Sequence, residues 1–220
     1  MKLKDQICKD RETFKRLDMR QRRWFIWDYY KLPILSVLLV LVFTVTGIML
    51  AVKNTKTVLA VVMINANNEA QSDPFTPLLE ADGVDMSGRR VDIESKYTLH
   101  YDNETQADAQ TIEVLAALFG VGNLDVFVAD EPVYDSYAGQ KAFLNLSLFL
   151  PADLLKAHSG DLYYGETASG RGVCGIRLHP GSPLHTSGYY AGDVIIGVAA
   201  SAQNMDNALA AVRELLREVA

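Results

Sequence analysis

The sequence predicts an α/β fold, in which one membrane-spanning helix is followed by a mostly parallel sheet flanked by helices. Three observations predict it. Residues 33–52 form an uncharged run of twenty residues. Beyond that run, apolar stretches of strand length alternate with stretches of helical periodicity, the pattern of helices crossing over a parallel sheet. Charge is also divided unevenly: residues 1–32 hold ten Lys and Arg against five Asp and Glu, leaving eleven against twenty-two in residues 33–220.

Residues 1–32 read as a basic cytoplasmic tail. Its Leu3, Ile7, Phe14, Leu17 and Met19 are spaced irregularly among the charges, and anionic lipid would attract such a segment. The run that follows, PILSVLLVLVFTVTGIMLAV, is long enough at about 1.5 Å per helical residue to cross a hydrocarbon core of roughly 30 Å. Pro33 suits a first helical position, where its missing N–H costs nothing. Trp24, Trp27, Tyr29 and Tyr30 precede the run as an interfacial belt, with Arg20, Arg22, Arg23 and Lys31 among them. The far flank offers only Lys53 and Lys56, so the N-terminus is expected in the cytoplasm and the C-terminal part outside the membrane. The span is uncleaved, because its basic region is too long for a secretory signal and no A-x-A site follows Val52.

A short polar link, 53–57, leads into the external domain, 58–220. The run TVLAVVMINA is a strand that ends in Asn65, Asn67 and Asn68, and PFTPLLEA, opened by Pro74, is a short helix. VDIESKYTLHY (91–101) alternates as a half-buried strand, and 104–119 places Ile112, Leu115, Ala116 and Phe119 on one helical face. LDVFVA (124–129) is a buried strand closed by Asp130, Glu131 and Pro132, with helices expected over 132–138 and 148–158. Shorter strands are expected at 162–164 and 173–178. DVIIGVA (193–199) is the last strand, and 204–219 is an amphipathic helix using Leu209, Val212, Leu215, Leu216 and Val219. Cys8 and Cys174 lie on opposite sides of the predicted span and cannot pair, so the external domain relies on its core alone.

LDVFVADEPVYDSYAGQKAFLNLSLFLP (124–151) resembles the extracellular solute-binding proteins of the type 2 periplasmic-binding-protein fold. DVIIGVAASAQNMDNALAAVRELL (193–216) is similar to the returning strand, Ser-Asn loop and following helix of the same proteins. With FIWDYYKLP ahead of the span, the chain resembles small membrane-anchored proteins of Gram-positive bacteria that carry such a domain. The resemblance implies a ligand-binding α/β domain of a single lobe, since the external part is too short for the two that close around a solute. Open α/β sheets take ligands at the carboxyl ends of their strands. That rule nominates Asn65, Asn67 and Asn68 after the first strand, Asp130 and Glu131 after the third, and Ser201 and Asn204 after the last.

A different class is suggested by GVCGIRLHPGSPLHTSGYYAGDVIIGV (172–198), which resembles a PDZ domain at Gly181-Ser182-Pro183 and Ala191-Gly192-Asp193 and would imply capture of peptide C-termini. The glycine such domains carry after their GDVI strand is replaced here by Ala199 and Ala200. Catalytic signatures are missing: there is no G-x-S-x-G elbow, P-loop lysine, H-E-x-x-H or C-x-x-C. Gly165–Gly170 has glycines at the spacing of a phosphate loop but leads into Arg171 and Gly172, and reads as a surface turn. His179 and His185 are six apart across Pro180, Gly181 and Pro183, a spacing that guarantees no metal site. The expectation is therefore a non-enzymatic, membrane-tethered module with no cofactor. Its expected partners are the lipid bilayer and either a small polar ligand or an envelope or membrane protein. An acidic body excludes nucleic acid. The sequence sets no oligomeric state.

Overall fold

The computed structural model of the chain describes residues 35–49, 56–70, 72–100 and 106–219. The chain divides into two units, Met1–Thr55 and Lys56–Ala220. In the first, helix α1 covers 35–49, and its Leu35, Leu38, Leu41, Phe43 and Ile48 are exposed. Among the described residues no helix is long and apolar enough to cross a membrane. Residues 33–34 and 50–52 of the predicted span, with the basic tail and its aromatic belt, lie outside the described residues.

The second unit is a six-stranded mixed sheet in the order β2-β1-β3-β6-β5-β4. Its strands are β1 (Lys56–Ile64), β2 (Arg89–Tyr97), β3 (Val126–Ala129), β4 (Leu162–Thr167), β5 (Gly170–Leu178) and β6 (Val194–Val198). The helices are α2 (Phe75–Ala81), α3 (Gln106–Val121), α4 (Glu131–Ala138), α5 (Ala152–Ala157), α6 (Pro183–Thr186) and α7 (Met205–Val219), with a 3₁₀ turn at Leu146–Leu148.

Strand β1 is buried on both faces and therefore reads as a continuous apolar run. Its side chains alternate: Leu59, Val61 and Met63 join one core cluster with α2 and α7, while Val62 and Ile64 join the other with α3 and α4. Phe127 of β3 and Ile195 of β6 fall on the second face, and Val126, Val128, Val194 and Ile196 on the first. The result is a helix–sheet–helix sandwich whose two cores are drawn wholly from residues 58–216.

The sheet is not mostly parallel as predicted. Strand β1 pairs in parallel with β2 and β3, but β3–β6, β6–β5 and β5–β4 are antiparallel. Two local features turn the chain back. Strands β4 and β5 form a hairpin across Ala168 and Ser169, with Gly170 at φ +96° as only glycine adopts easily. Thr167 Oγ1 seals that turn by donating to Gly170 O and accepting from Ser169 N. The glycine-rich stretch 165–170 is thus a hairpin turn. Between β5 and β6, the four-residue α6 rises roughly 6 Å, too little to carry the chain back along a strand for a parallel return.

The segment that resembles a PDZ domain folds as β5, α6 and β6. Both strands are interior, hydrogen-bonded to a neighbour on each side. Helix α3 is also rotated from its predicted face. Leu115 is buried, but Ile112 and Ala116 are exposed, because Asp108 and Thr111 turn inward. Asp108 accepts the backbone N–H of His100 (2.9 Å), which fixes the segment that leaves β2.

Candidate functional site

Strands β1 and β3 are parallel neighbours whose chains leave in opposite directions: β1 continues into α2 on one face, and β3 into α4 on the other. Such a switch point leaves a crevice at the strand ends, where an open α/β sheet takes its ligands. Asn65 and Asp130 are the residues that directly follow β1 and β3.

Asn65 holds a left-handed backbone, φ +56°, which Asn tolerates better than most side chains. Its amide nitrogen donates to Leu99 O (3.0 Å) and to Asp130 Oδ2 (3.2 Å), while its amide oxygen accepts from Leu99 N (2.9 Å). One side chain thus ties together the chain segments leaving β1, β2 and β3. Asp130 occupies the N-cap of α4 yet makes no side-chain capping bond. Its carboxylate turns to Asn65 instead, forgoing a cap worth about 1 kcal/mol. The other oxygen, Oδ1, is buried and has no hydrogen-bond partner.

Tyr190 reaches the same place from the loop before β6. Its hydroxyl donates to Ile64 O (2.8 Å), with Val128 O at 3.3 Å. Burial, with the charge of Asp130 beside it, pushes that hydroxyl well above the ordinary tyrosine range. Asn67 pins the opposite wall: its N–H donates to Tyr189 O (2.8 Å) and its amide to Gly188 O (3.2 Å). Tyr189 Oη donates to Ser72 O (2.9 Å). Between these walls lies a cavity of about 420 Å³, lined among others by Asn65, Asn67, Asp130, Tyr190 and Asp193.

The edge beyond the crevice carries a polar network. His179 stands between two carboxylates, with Nδ1 3.0 Å from Asp193 and Nε2 3.0 Å from Asp161. These bonds raise its pKa by stabilising the imidazolium. Two residues earlier on β5, Arg177 grips Glu131 through both guanidinium nitrogens (3.0 and 2.9 Å). That bond holds Glu131 below the ordinary carboxylate range. Because β3 and β5 run the same way and β4 and β6 run opposite, Asp130, His179, Asp161 and Asp193 all fall at one end of the sheet.

The seven residues nominated from the sequence separate accordingly. Asn65, Asn67 and Asp130 line the crevice. Glu131 sits at the same end but is committed to Arg177, and Asn68 is exposed in the turn after β1. Ser201 and Asn204 lie at the opposite end, because β6 is antiparallel to β3. Ser201 borders a groove with Ile112, Phe119 and Tyr137. Asn204 is a structural partner of the buried Asp125, which accepts its backbone N–H (2.8 Å) and its amide (2.9 Å) along with Ala60 N (2.8 Å).

Sequence reasoning missed Tyr190, Asp193 and the His179 bridge, whose members come from two connections far apart in sequence, the one before β4 and the one between β5 and β6. It also missed a Ser–His pair. Ser182 Oγ lies 2.7 Å from His185 Nδ1, and His185 Nε2 lies 2.8 Å from Gly192 O, a carbonyl to which it donates. Ser182 is only 1% exposed, and the pair braces the loop between β5 and β6. Among the described residues no group of three or more His, Cys, Asp or Glu is placed to hold a metal ion. Comparison with protein-family models, with curated proteins and with solved structures finds no match to this chain.

Proposed function

We propose that the chain is a binding module tethered to the outer face of a cell membrane, non-enzymatic, with its ligand site in the crevice between the ends of β1 and β3. The observation that carries this reading is Asp130. A buried carboxylate oxygen with no partner costs about 1–3 kcal/mol or more, and here it sits at the switch point of an α/β sheet, beside a cavity of a small ligand's size. Asp130 lines that cavity together with Asn65, Asn67 and Asp193. The helix–sheet–helix layering around the crevice is also what a single lobe of the type 2 solute-binding fold would supply, and a small polar solute is the proposed ligand. The tether rests on the uncharged run 33–52 and its basic, aromatic flank.

The test is a thermal-shift screen of residues 56–220, a unit that carries both of its own cores, against sugars, amino acids, amines, carboxylates and short peptides. A ligand at about 100 times its Kd stabilises the fold by roughly 2.7 kcal/mol. A shift that disappears in Asp130→Ala supports the reading. A folded fragment indifferent to every compound refutes it and favours an envelope interaction protein, the alternative supported by the exposed Ile112 and Val114 on α3.

A further inference from the structure

We infer that the end of the sheet at which β1 begins is a docking surface for anionic phospholipid headgroups, which stands the domain on the outer leaflet with its crevice turned away; the inference rests on the membrane-tethered reading above. It follows from where the free cations lie. Among the described residues, Lys56, Arg89, Lys141, Lys156 and Arg171 are the Lys and Arg side chains that form no ion pair. All but Lys156 fall at this one end. Lys56 opens β1, and Arg89, its partner in the parallel register, opens β2 with Arg90 beside it. Strand β5 runs the same way as β1, so Arg171 near its start reaches the same end. Lys141 arrives there with the segment that pairs just beyond β6, where Ala142 O accepts the N–H of Ala200 (2.8 Å). These side chains are exposed and spread over the strands from β2 to β5, at about 4.8 Å per strand a rim roughly 20 Å wide.

The two ends of the sheet differ in charge. Acids share the rim, Asp85 before β2 and Glu166 opposite Arg171 among them. The far end gathers Asp130, Glu131, Asp161 and Asp193, and its Arg177 and His179 are bonded to three of these. An anionic surface therefore repels the crevice end relative to the rim, and the difference orients the domain.

The occupant follows from the chain itself. Three residues, 53–55, separate β1 from the uncharged run 33–52, a stretch of at most about 14 Å. The bilayer that holds the run is thus within reach of the rim, and each Lys or Arg close to an anionic leaflet strengthens the attraction about fivefold. Val121, 66% exposed at the end of α3, adds an apolar side chain at this end, its carbonyl held by the Gln203 amide (3.2 Å). A protein interface is depleted of charge at its centre, whereas this rim is charged across its width.

The experiment uses the full-length chain with Cys8→Ser and Val121→Cys, labelled at position 121 with an NBD fluorophore. It is reconstituted in vesicles of phosphatidylcholine alone, or of phosphatidylcholine and phosphatidylglycerol mixed three to one, with a trace of spin-labelled lipid as quencher. The expected result is strong quenching in the anionic vesicles and weak quenching in the others, with a label placed by Asn68→Cys at the crevice end unquenched in both. Lys56→Gln together with Arg89→Gln should lower the docked-to-undocked ratio at least about tenfold, and salt near about 1 M should do the same. Flotation with the vesicles in high salt tests the tether separately. A chain that floats while its position-121 label stays unquenched overturns the docking and leaves the tether standing; a chain that does not float overturns both. Quenching that is equal in the two vesicles, that survives the double substitution or that appears at position 68 overturns the inference. Shielding that follows protein density rather than anionic lipid also overturns it and assigns the surface to a second copy of the chain.

Discussion

Gly197 lies under the phenol of Tyr134, and the contact makes a sharp test of how α4, and with it Asp130, is positioned. Tyr134 is fully buried one turn into α4, stacked on Phe143 at 4.4 Å between ring centroids, and its hydroxyl donates to Cys174 O (2.8 Å). The phenol can lie flat across β5 and β6 only because Gly175 and Gly197 have no side chains. A Cβ at 197 would overlap the Tyr134 hydroxyl and come within 2.8 Å of the backbone oxygen of Cys174. Gly197→Ala should therefore cost about 1–3 kcal/mol in overpacking and, if the hydroxyl is expelled from its acceptor, about 1–3 kcal/mol more for the unmet buried group. A loss of about 2–6 kcal/mol in a domain of this size lowers Tm by roughly 5–25 °C. Urea unfolding of residues 56–220, followed by circular dichroism, measures it. Tyr134→Phe in the same chain removes the closest overlap and should recover part of the loss. A Gly197→Ala protein within about 0.5 kcal/mol of the parent, the ordinary range for a surface change, would refute the packing of α4 on β5 and β6.

Other consequences are separately measurable. Asp125→Ala strips three donors of a buried acceptor and should cost about 3–5 kcal/mol, whereas Asn204→Ala should lower stability by about 1–2 kcal/mol without altering any ligand affinity, as denaturant titration and ligand titration together would show. His179 has a folded pKa raised above its unfolded value, so its contribution is fully present below about pH 6.5 and is lost as pH rises through the raised value. The Tm difference between the parent and His179→Gln should therefore shrink between pH 5.5 and pH 8.5; a difference that grows would contradict the carboxylate bridge. The Cys174 thiol is buried and pushed up to about 11 by desolvation, so in residues 56–220, where it is the one cysteine, a maleimide at pH 8 should label it only on unfolding, and rapid labelling of that native fragment would contradict its placement.

Much of this architecture is legible in the sequence because it follows from local pattern. The unbroken apolar run of β1 announces a strand buried on both faces. The spacing of Leu209, Val212, Leu215 and Leu216 announces the buried face of α7. Strand direction is not local. It is set by whether a connection is long and helical enough to cross a face, and neither the two-residue turn after β4 nor the four-residue α6 is. That single property moved Ser201 and Asn204 to the far end of the sheet, and it brought Asp161 and Asp193 to the near one. Asn65 and Asp130 were accessible to sequence reasoning because each directly follows a parallel strand. Tyr190 was not, since its role depends on a loop folding back over the ends of β1 and β3. The rotation of α3 also lay beyond periodicity: Asp108 and Thr111 interrupt the apolar face, and the backbone donor at His100 helps to draw Asp108 inward.

The most direct test of the account is to map a bound ligand by backbone amide chemical shifts in ¹⁵N-labelled residues 56–220, using whichever compound stabilises the domain. The account predicts that the largest changes cluster at Asn65, Asp130, Tyr190 and Asp193, with Gly122, Ser201 and Asn204 at the opposite end unmoved. Changes concentrated around Ser201 and Asn204, with Asn65 and Asp130 silent, would contradict the crevice between β1 and β3 as the binding site.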